Sequence, residues 1–424
     1  MLSGHSFINI IKNNFKSSEI LYVVFSQIFF VVSSFILIKI LTNNLSVSSY
    51  GFLALVLTLI SLFTQVFLGG INAAFSRYYS ISISASNIKG YLQSLEIFLK
   101  YLILSTLFII ILLSVFHYFL GMPHYYTLIL AVLFAVSASY SSILNQILNI
   151  AKKRASSSIS LVFEIILKIL LIYILILYYG LSIELILISY FISSCVMSMI
   201  QHHKVKSLIE DQLDNNSEKN CLNDIIRFAV PYIPWTLIIW MQQISDKWLL
   251  EFYATRDDVG GFALLFQLGF MPMVFLFSML NRLISPVIYN NDTSNNTNIS
   301  TEIYKYLTYS AFIFGGTMFY SSWLYSIEII LFFSDEKYLA YAQYLHLFLL
   351  AGIFFGLSEL FLLKMQSQME VRLLNSVKSS LGIFGIIINF LGVYTFGFIG
   401  LVYSLIIFSI FNYLIMLYYS TYAD

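Results

Sequence analysis

The sequence predicts an all-α polytopic membrane protein: twelve transmembrane helices in two six-helix bundles, set as parallel repeats around a central cavity. Three observations lead there. Hydrophobic residues make up 59% of the chain and charged residues 10%, where a soluble domain carries about 25% charged residues. Twelve apolar runs are long enough to cross a bilayer, which takes roughly 20 residues for ~30 Å of hydrocarbon. The main polar stretch, 202–224, leaves six runs on either side.

The elements follow in order. Residues 1–18 set Phe7, Ile8, Ile10, Ile11 and Phe15 against Lys12 and Lys16, the pattern of a short helix lying in the interface. The first six spans are 19–41, 50–74, 92–119, 125–149, 157–178 and 181–201. The first is too long for the apolar core of a signal peptide, and further spans follow it. The second ends in an interfacial segment, Ala74 to Tyr79. Only Tyr179 and Gly180 part the fifth from the sixth. The second six spans are 227–252, 259–284, 303–331, 339–363, 373–394 and 397–419. Residues 287–302 are rich in Asn, Ser and Thr, which is turn chemistry. The expected domains are therefore an N-terminal bundle, 1–201, a cytoplasmic linker loop, 202–226, and a C-terminal bundle, 227–424.

Charge sets the orientation. With both termini cytoplasmic, most of the 22 Lys and Arg residues fall in inside segments, and the outside loops hold only Arg256 and Lys337. An odd number of spans would scramble that alternation. There is no acidic or basic tail to engage nucleic acid. The two halves also echo each other. Tyr50-Gly51-Phe52-Leu53-Ala54-Leu55 opens the second span and Gly260-Gly261-Phe262-Ala263-Leu264-Leu265 opens the eighth, from the same side. Six spans per half make such repeats parallel, about an axis along the membrane normal.

Nothing in the sequence reads as catalytic or metal-binding. The six histidines are scattered, apart from His202-His203 on the linker loop, and no His, Cys and carboxylate cluster has ligand spacing. Cys195 and Cys221 read as free thiols. Paired acids at Asp257-Asp258 and Asp335-Glu336 sit in short outer turns and read as solvated. Gly382, Gly385 and Gly392 mark close helix packing.

Ionisable residues inside spans are the sharper signal, because a charge in hydrocarbon must face protein or water. Glu164 and Lys168 stand four apart, on one face of a helix, with Lys168 near the membrane middle. Asp246 and Lys247 are adjacent and point about 100° apart, so they cannot both face one cavity squarely. Glu96 and Lys100 read as a helix-surface pair, and Glu359 and Lys364 close the tenth span toward the cytoplasm. Lys39, Arg77 and Arg282 lie near span ends, where snorkelling is the plain alternative to a cavity role. Gln27, Gln65, Asn72, Asn145, Gln146, Gln242, Gln243, Gln267 and Asn389 thread the spans as helix-bridging glue or as sugar-binding groups. Pro234 and Pro272 free backbone carbonyls in the seventh and eighth spans and permit bending.

Two stretches carry a family resemblance. Residues 227–286 open on Phe228, Pro231 and Pro234, continue through Ser245-Asp246-Lys247, and reach Val259-Gly260 before another apolar run. Earlier, Tyr50-Gly51 leads through Gly69-Gly70 and Ala73-Ala74 to Arg77-Tyr78-Tyr79. In this order, with twelve spans, the chain resembles the Wzx-type polysaccharide-transport flippases of the multidrug/oligosaccharidyl-lipid/polysaccharide (MOP) exporter superfamily over most of its length.

The resemblance implies a MATE-like fold and translocation of undecaprenyl-diphosphate-linked oligosaccharide repeat units across a bacterial inner membrane. The cargo would be O-antigen or a related surface polysaccharide unit, moved by cation-coupled alternating access. It implies no enzyme activity and no cofactor. The partners it implies are the lipid-linked oligosaccharide, the bilayer, a polysaccharide polymerase and a chain-length regulator. On that reading Lys168, Lys39, Arg77, Lys247 and Arg282 are candidates for the diphosphate and glycan. Asp246, Glu164 and Glu359 are candidates for ion coupling, and Pro234 and Pro272 for hinges. Two alternatives stand beside it: a MATE-type multidrug/cation antiporter, which would carry more acids than bases in its spans, and a membrane-embedded polymerase or acyltransferase, which would carry a long outer loop.

Overall fold

The computed structural model describes residues 17–121, 123–210, 220–281, 297–367 and 371–422. The interfacial helix expected over 1–18 falls almost wholly outside them, as does Arg282. Among the described residues the regular structure is all helical. That follows from the apolar runs, since hydrocarbon supplies no partner for a backbone N–H or C=O.

The elements are α1 Ser17–Asn44, α2 Val47–Ser61, α3 Gly69–Ser84, α4 Ile88–Leu120, α5 Tyr125–Ile150, α6 Arg154–Tyr179 and α7 Ile183–Glu210, then α8 Leu222–Ala229, α9 Ile233–Tyr253, α10 Arg256–Leu265, α11 Thr297–Leu324, α12 Ser326–Phe333, α13 Leu345–Ser367 and α14 Val371–Tyr422. A π-helical turn, Leu62–Phe67, joins α2 to α3. A second, Phe266–Phe270, carries α10 into a helix over 271–281.

Nine helices among the described residues are long and apolar enough to cross a membrane, and the bent pair Leu222–Tyr232 and Thr236–Tyr253 makes a tenth. α14 holds two of the expected spans in one helical assignment. Its 52 residues would reach about 78 Å as a straight helix, far beyond one bilayer. At Gly397 the backbone takes φ 60°, ψ −135°, a conformation open to glycine, and the chain doubles back. Ser404 Oγ then donates to Ile388 O at 2.9 Å, and the Phe384 and Phe411 rings lie 4.6 Å apart. α11 has the length of a twelfth span, although its Tyr, Thr, Ser and Gly residues dilute its apolarity. The break between the fifth and sixth spans is real: Gly180, at φ 74°, ends α6.

Two sequence expectations need correction. The second span does not give way to an interfacial segment at Ala74; helix continues through the π turn to Ser84. Ala74, Phe75 and Tyr79 are buried in a core with Tyr91, Leu95, Ile143 and Leu144, and that packing holds the extra turns. The polar stretch after the sixth span is not a loop from residue 202. α7 runs on to Glu210, because Val205 and Ile209 pack against the same core, so His202 and His203 are helical.

The chain forms two compact units. One contains Ser17–Leu37 and Leu55–Trp240; the other contains Ile38–Ala54 and Met241 onward. The changeover thus falls within α9, and the turn between α1 and α2 counts with the C-terminal helices, whereas the sequence divides at 202–226. Close backbone approach explains it. A Cβ on Gly51 would lie 2.4 Å from Arg256 O, and one on Gly260 would lie 2.2 Å from Val47 O. Gly51 thus meets Gly260, the neighbour of its counterpart Gly261 in the sequence repeat. Helices in hydrocarbon associate through packing and hydrogen bonds, so small residues at a crossing count heavily.

The fourth span of each half forms the centre of its unit: Tyr125–Ile150 and Glu336–Leu362 are each 61% buried, against 17% for Ile88–Leu120 and Arg154–Tyr179. The last two therefore leave most of their surface outside the packed core.

Candidate functional site

In the unit built on α5, α6 and α7, the spacing of Glu164 and Lys168 gives the expected pair. Lys168 Nζ lies 2.7 Å from Glu164 Oε1, with side-chain exposures of 20% and 12%. Glu164 also accepts from Ser194 Oγ of α7 at 3.2 Å. The ammonium lies 5.6 Å from the centre of the Phe134 ring and 5.5 Å from that of Tyr190, within cation–π range. Lys168 is thus turned into the seam between three helices, not out into lipid. The pair is neutral and half-sealed, and each member can be released only if something else meets the charge of the other.

The second unit holds a counterpart on α9. Asp246 is 4% exposed. Its Oδ1 accepts the Lys247 backbone N–H at 2.7 Å and lies 3.5 Å from Lys247 Nζ. The 100° divergence of adjacent residues does not keep them apart, because the long lysine chain curls back to the carboxylate. Lys247 Nζ also lies 4.9 Å from the Phe266 ring centre and 5.7 Å from that of Phe262. Those rings stand four apart on the helical run from α10 into the π turn and stack at 5.8 Å, forming a ridge for the ammonium. Beside the pair, Asn389 of α14 donates to Ser245 Oγ at 3.4 Å, while its buried Oδ1 has no hydrogen-bond partner.

The other candidates are placed apart from these pairs. Lys39 donates to Leu331 O at 2.7 Å and to Ser334 O. It therefore closes the C-terminal end of α12, where free carbonyls and the helix dipole favour a cation. Arg77 is exposed, with its guanidinium 4.7 Å from the Phe228 ring centre. Glu359 pairs with Lys378 at 2.8 Å, and Glu96 lies 3.8 Å from Lys206 instead of pairing with Lys100. Pro234 lies in the break of the bent pair, which turns by 50°. Pro272 follows the π turn, where its missing N–H leaves a carbonyl one turn back without its donor.

The bridging amides act largely as glue: Asn72 with Ser142 at 3.0 Å, Gln146 with Ser76 at 2.9 Å, Gln267 with Tyr50 at 3.2 Å, and Asn145 with Ser157. Sequence reasoning missed the four rings around the two lysines, the Ser194 hydroxyl, and Lys378 as the partner of Glu359. Only Phe262 and Phe266 left a signal, their four-residue spacing. Among the described residues no group of three or more His, Cys, Asp or Glu is placed to hold a metal ion.

Comparison with known proteins bears on both the sequence and the fold. The sequence model of the family described as "Polysaccharide biosynthesis protein" matches residues 18–292. No curated protein matches the sequence. Among solved structures, the lipid II flippase MurJ in an inward closed conformation aligns with a TM-score of 0.70 at 16% identity, covering 96% of this chain and 88% of that one. An outward-facing multidrug resistance transporter of the MATE family, in the MOP superfamily, aligns at 0.66 and 14% identity, covering 95% and 94%. A MOP superfamily transporter from Pyrococcus furiosus, described as having a binding pocket of reversed polarity, aligns at 0.63 and 15% identity, covering 96% of each. At such identities the likeness is one of fold.

Proposed function

This chain belongs to the polysaccharide biosynthesis protein family, and from that membership we propose that it is a flippase for undecaprenyl-diphosphate-linked oligosaccharide repeat units. It works in the bacterial inner membrane, with both termini cytoplasmic and the O-antigen class of surface polysaccharide as destination. The observation that carries the reading is the family match over residues 18–292, on a fold shared with MOP transporters.

The chemistry of the two buried pairs suits such a cargo. A diphosphate brings negative charge into a region where charge is costly. Lys168 and Lys247 each offer an ammonium held between an acid and two aromatic rings. The phosphate replaces the carboxylate as the lysine's partner. The released acid, Glu164 or Asp246, takes up a proton or a small cation, which couples cargo binding to an ion. Aromatic faces and bridging amides serve the sugars. The undecaprenyl tail stays in lipid.

Export of an organic cation, as in a MATE-type antiporter, is the competing reading. It fits these sites less well, since both pairs are neutral and neither leaves an excess of acid for a cationic drug. The deciding experiment follows lipid-linked repeat units in cells with and without this protein. Their build-up on the cytoplasmic face when it is absent, with unchanged drug efflux, supports the flippase. Normal export of the units with lowered drug resistance refutes it.

A further inference from the structure

A groove of about 440 Å³ runs between α4, α5 and α7, lined among others by Leu99, Ile103, Ile110, Val136, Phe191 and Met199. Its volume lies within the ~300–1,000 Å³ typical of small-ligand sites. Beside it, α4 presents Tyr101, Leu104, Phe108 and Ile111 as exposed residues, the surface of a helix in contact with lipid.

Its wall is dry by construction. The hydroxyls within it turn onto helix carbonyls: Thr106 onto Leu102 O at 2.7 Å, Ser137 onto Phe134 O at 3.0 Å and Ser198 onto Ser137 O at 3.2 Å. A water needs two to four polar partners, and a sugar needs more, so neither is held here. A hydrocarbon chain fits. From Leu99 to Ile110 the groove follows α4 for about 17 Å at 1.5 Å per residue, close to the ~15 Å depth of one leaflet.

One end is polar and basic. Tyr140 Oη and His202 Nδ1 are hydrogen-bonded at 2.7 Å, and the His203 ring lies 6.3 Å from that of His202. Exposed Lys100 follows Leu99, and Lys206 lies one turn beyond His202 with Glu96 at 3.8 Å. Basic groups at the end of an interhelical groove complement an anionic headgroup. The charge pattern of the loops places this end on the cytoplasmic side.

We infer that this groove binds an anionic glycerophospholipid of the adjoining leaflet, with one acyl chain along α4, α5 and α7 and the phosphate at Lys100, His202, His203 and Lys206. The site needs no cargo, so it stands or falls apart from the flippase reading. The groove is one leaflet deep, which suits an acyl chain better than a much longer polyprenyl tail.

The test uses full-length protein purified in a neutral detergent. Native mass spectrometry counts bound phosphatidylglycerol, phosphatidylcholine and undecaprenyl phosphate, each added alone and in competition. Phosphatidylglycerol should be retained at least tenfold more than phosphatidylcholine. Val136→Trp, or Ile103→Trp at the exposed wall should Val136→Trp fail to fold, should lower its retention about tenfold. Lys100→Glu with His203→Glu should abolish the preference for the anionic lipid. Cys195 lines the groove and is a free thiol, so in a Cys221→Ser background phosphatidylglycerol should slow its reaction with a maleimide. Equal retention of the two phospholipids, unchanged by either tryptophan, overturns the proposal. So does displacement of phosphatidylglycerol by an equal amount of undecaprenyl phosphate, which would make the groove a site for a cargo tail.

Discussion

Removing the two charges on α6 one at a time and then together separates cargo contact from folding. In Lys168→Met the ammonium is gone and Glu164 keeps its charge, with Ser194 Oγ at 3.2 Å left from the original set. At 12% exposure Glu164 has little water to turn to. Stripping one partner from a buried pair costs about 3–5 kcal/mol, and the 20% exposure of Lys168 puts this case near the low end, about 3 kcal/mol. Glu164→Gln is milder. Lys168 keeps two ring faces, each worth about 0.5–2 kcal/mol, so a loss of about 1–2 kcal/mol is expected. The double variant puts neutral groups at both positions, a replacement that is often close to neutral for stability. Denaturation midpoints of purified protein report stability, and repeat-unit export per molecule of protein in the membrane reports function. Lys168→Met should be unstable, the double variant should regain most of the loss, and its export should remain at least tenfold down because the diphosphate has lost an ammonium. A double variant with wild-type stability and wild-type export would rule out cargo contact at Lys168, leaving the pair a structural clasp.

Three further outcomes follow from the packing. Gly260→Val should cost about 1–3 kcal/mol or more, because its Cβ meets Val47 O at 2.2 Å and backbone cannot step aside. Gly316→Ala, with nothing within 4 Å of the added Cβ, should gain up to ~1 kcal/mol of helix propensity; midpoints for the two variants measured side by side check both. Lys39→Met should lower stability by about 1–2 kcal/mol through loss of its carbonyl contacts at the end of α12. Export per folded molecule should hold, and lost export at equal protein level would return Lys39 to the cargo site. Asn412→Ala removes a 2.6 Å bond to buried Ser358 Oγ. Its cost should be close to the ~0.6 kcal/mol average for side-chain bonds between membrane helices, read from the same melts.

Much of the fold was legible because its signals are local. Each apolar run had to become a helix, and their number came with them. The Glu164–Lys168 pair was legible for the same reason: four residues on a helix are neighbours wherever the helix goes. Lys39 shows the opposite case. Near a span end it read as a cargo-facing cation or a snorkelling one, and nothing nearby in sequence pointed to carbonyls at Leu331 and Ser334. Glu359 likewise read with Lys364, whereas its partner Lys378 lies 19 residues away on α14.

The class, the spans and the family could be read from the amino-acid order alone, because hydrocarbon leaves a backbone of such composition few options and because periodicity and spacing survive without neighbours. Tertiary packing alone decided which charge meets which, where the second span truly ends, and that the glycines at 51 and 260 touch. Side chains in a bilayer interior find partners by shape and by the need to satisfy a charge, and the helices that supply them are distant in the chain.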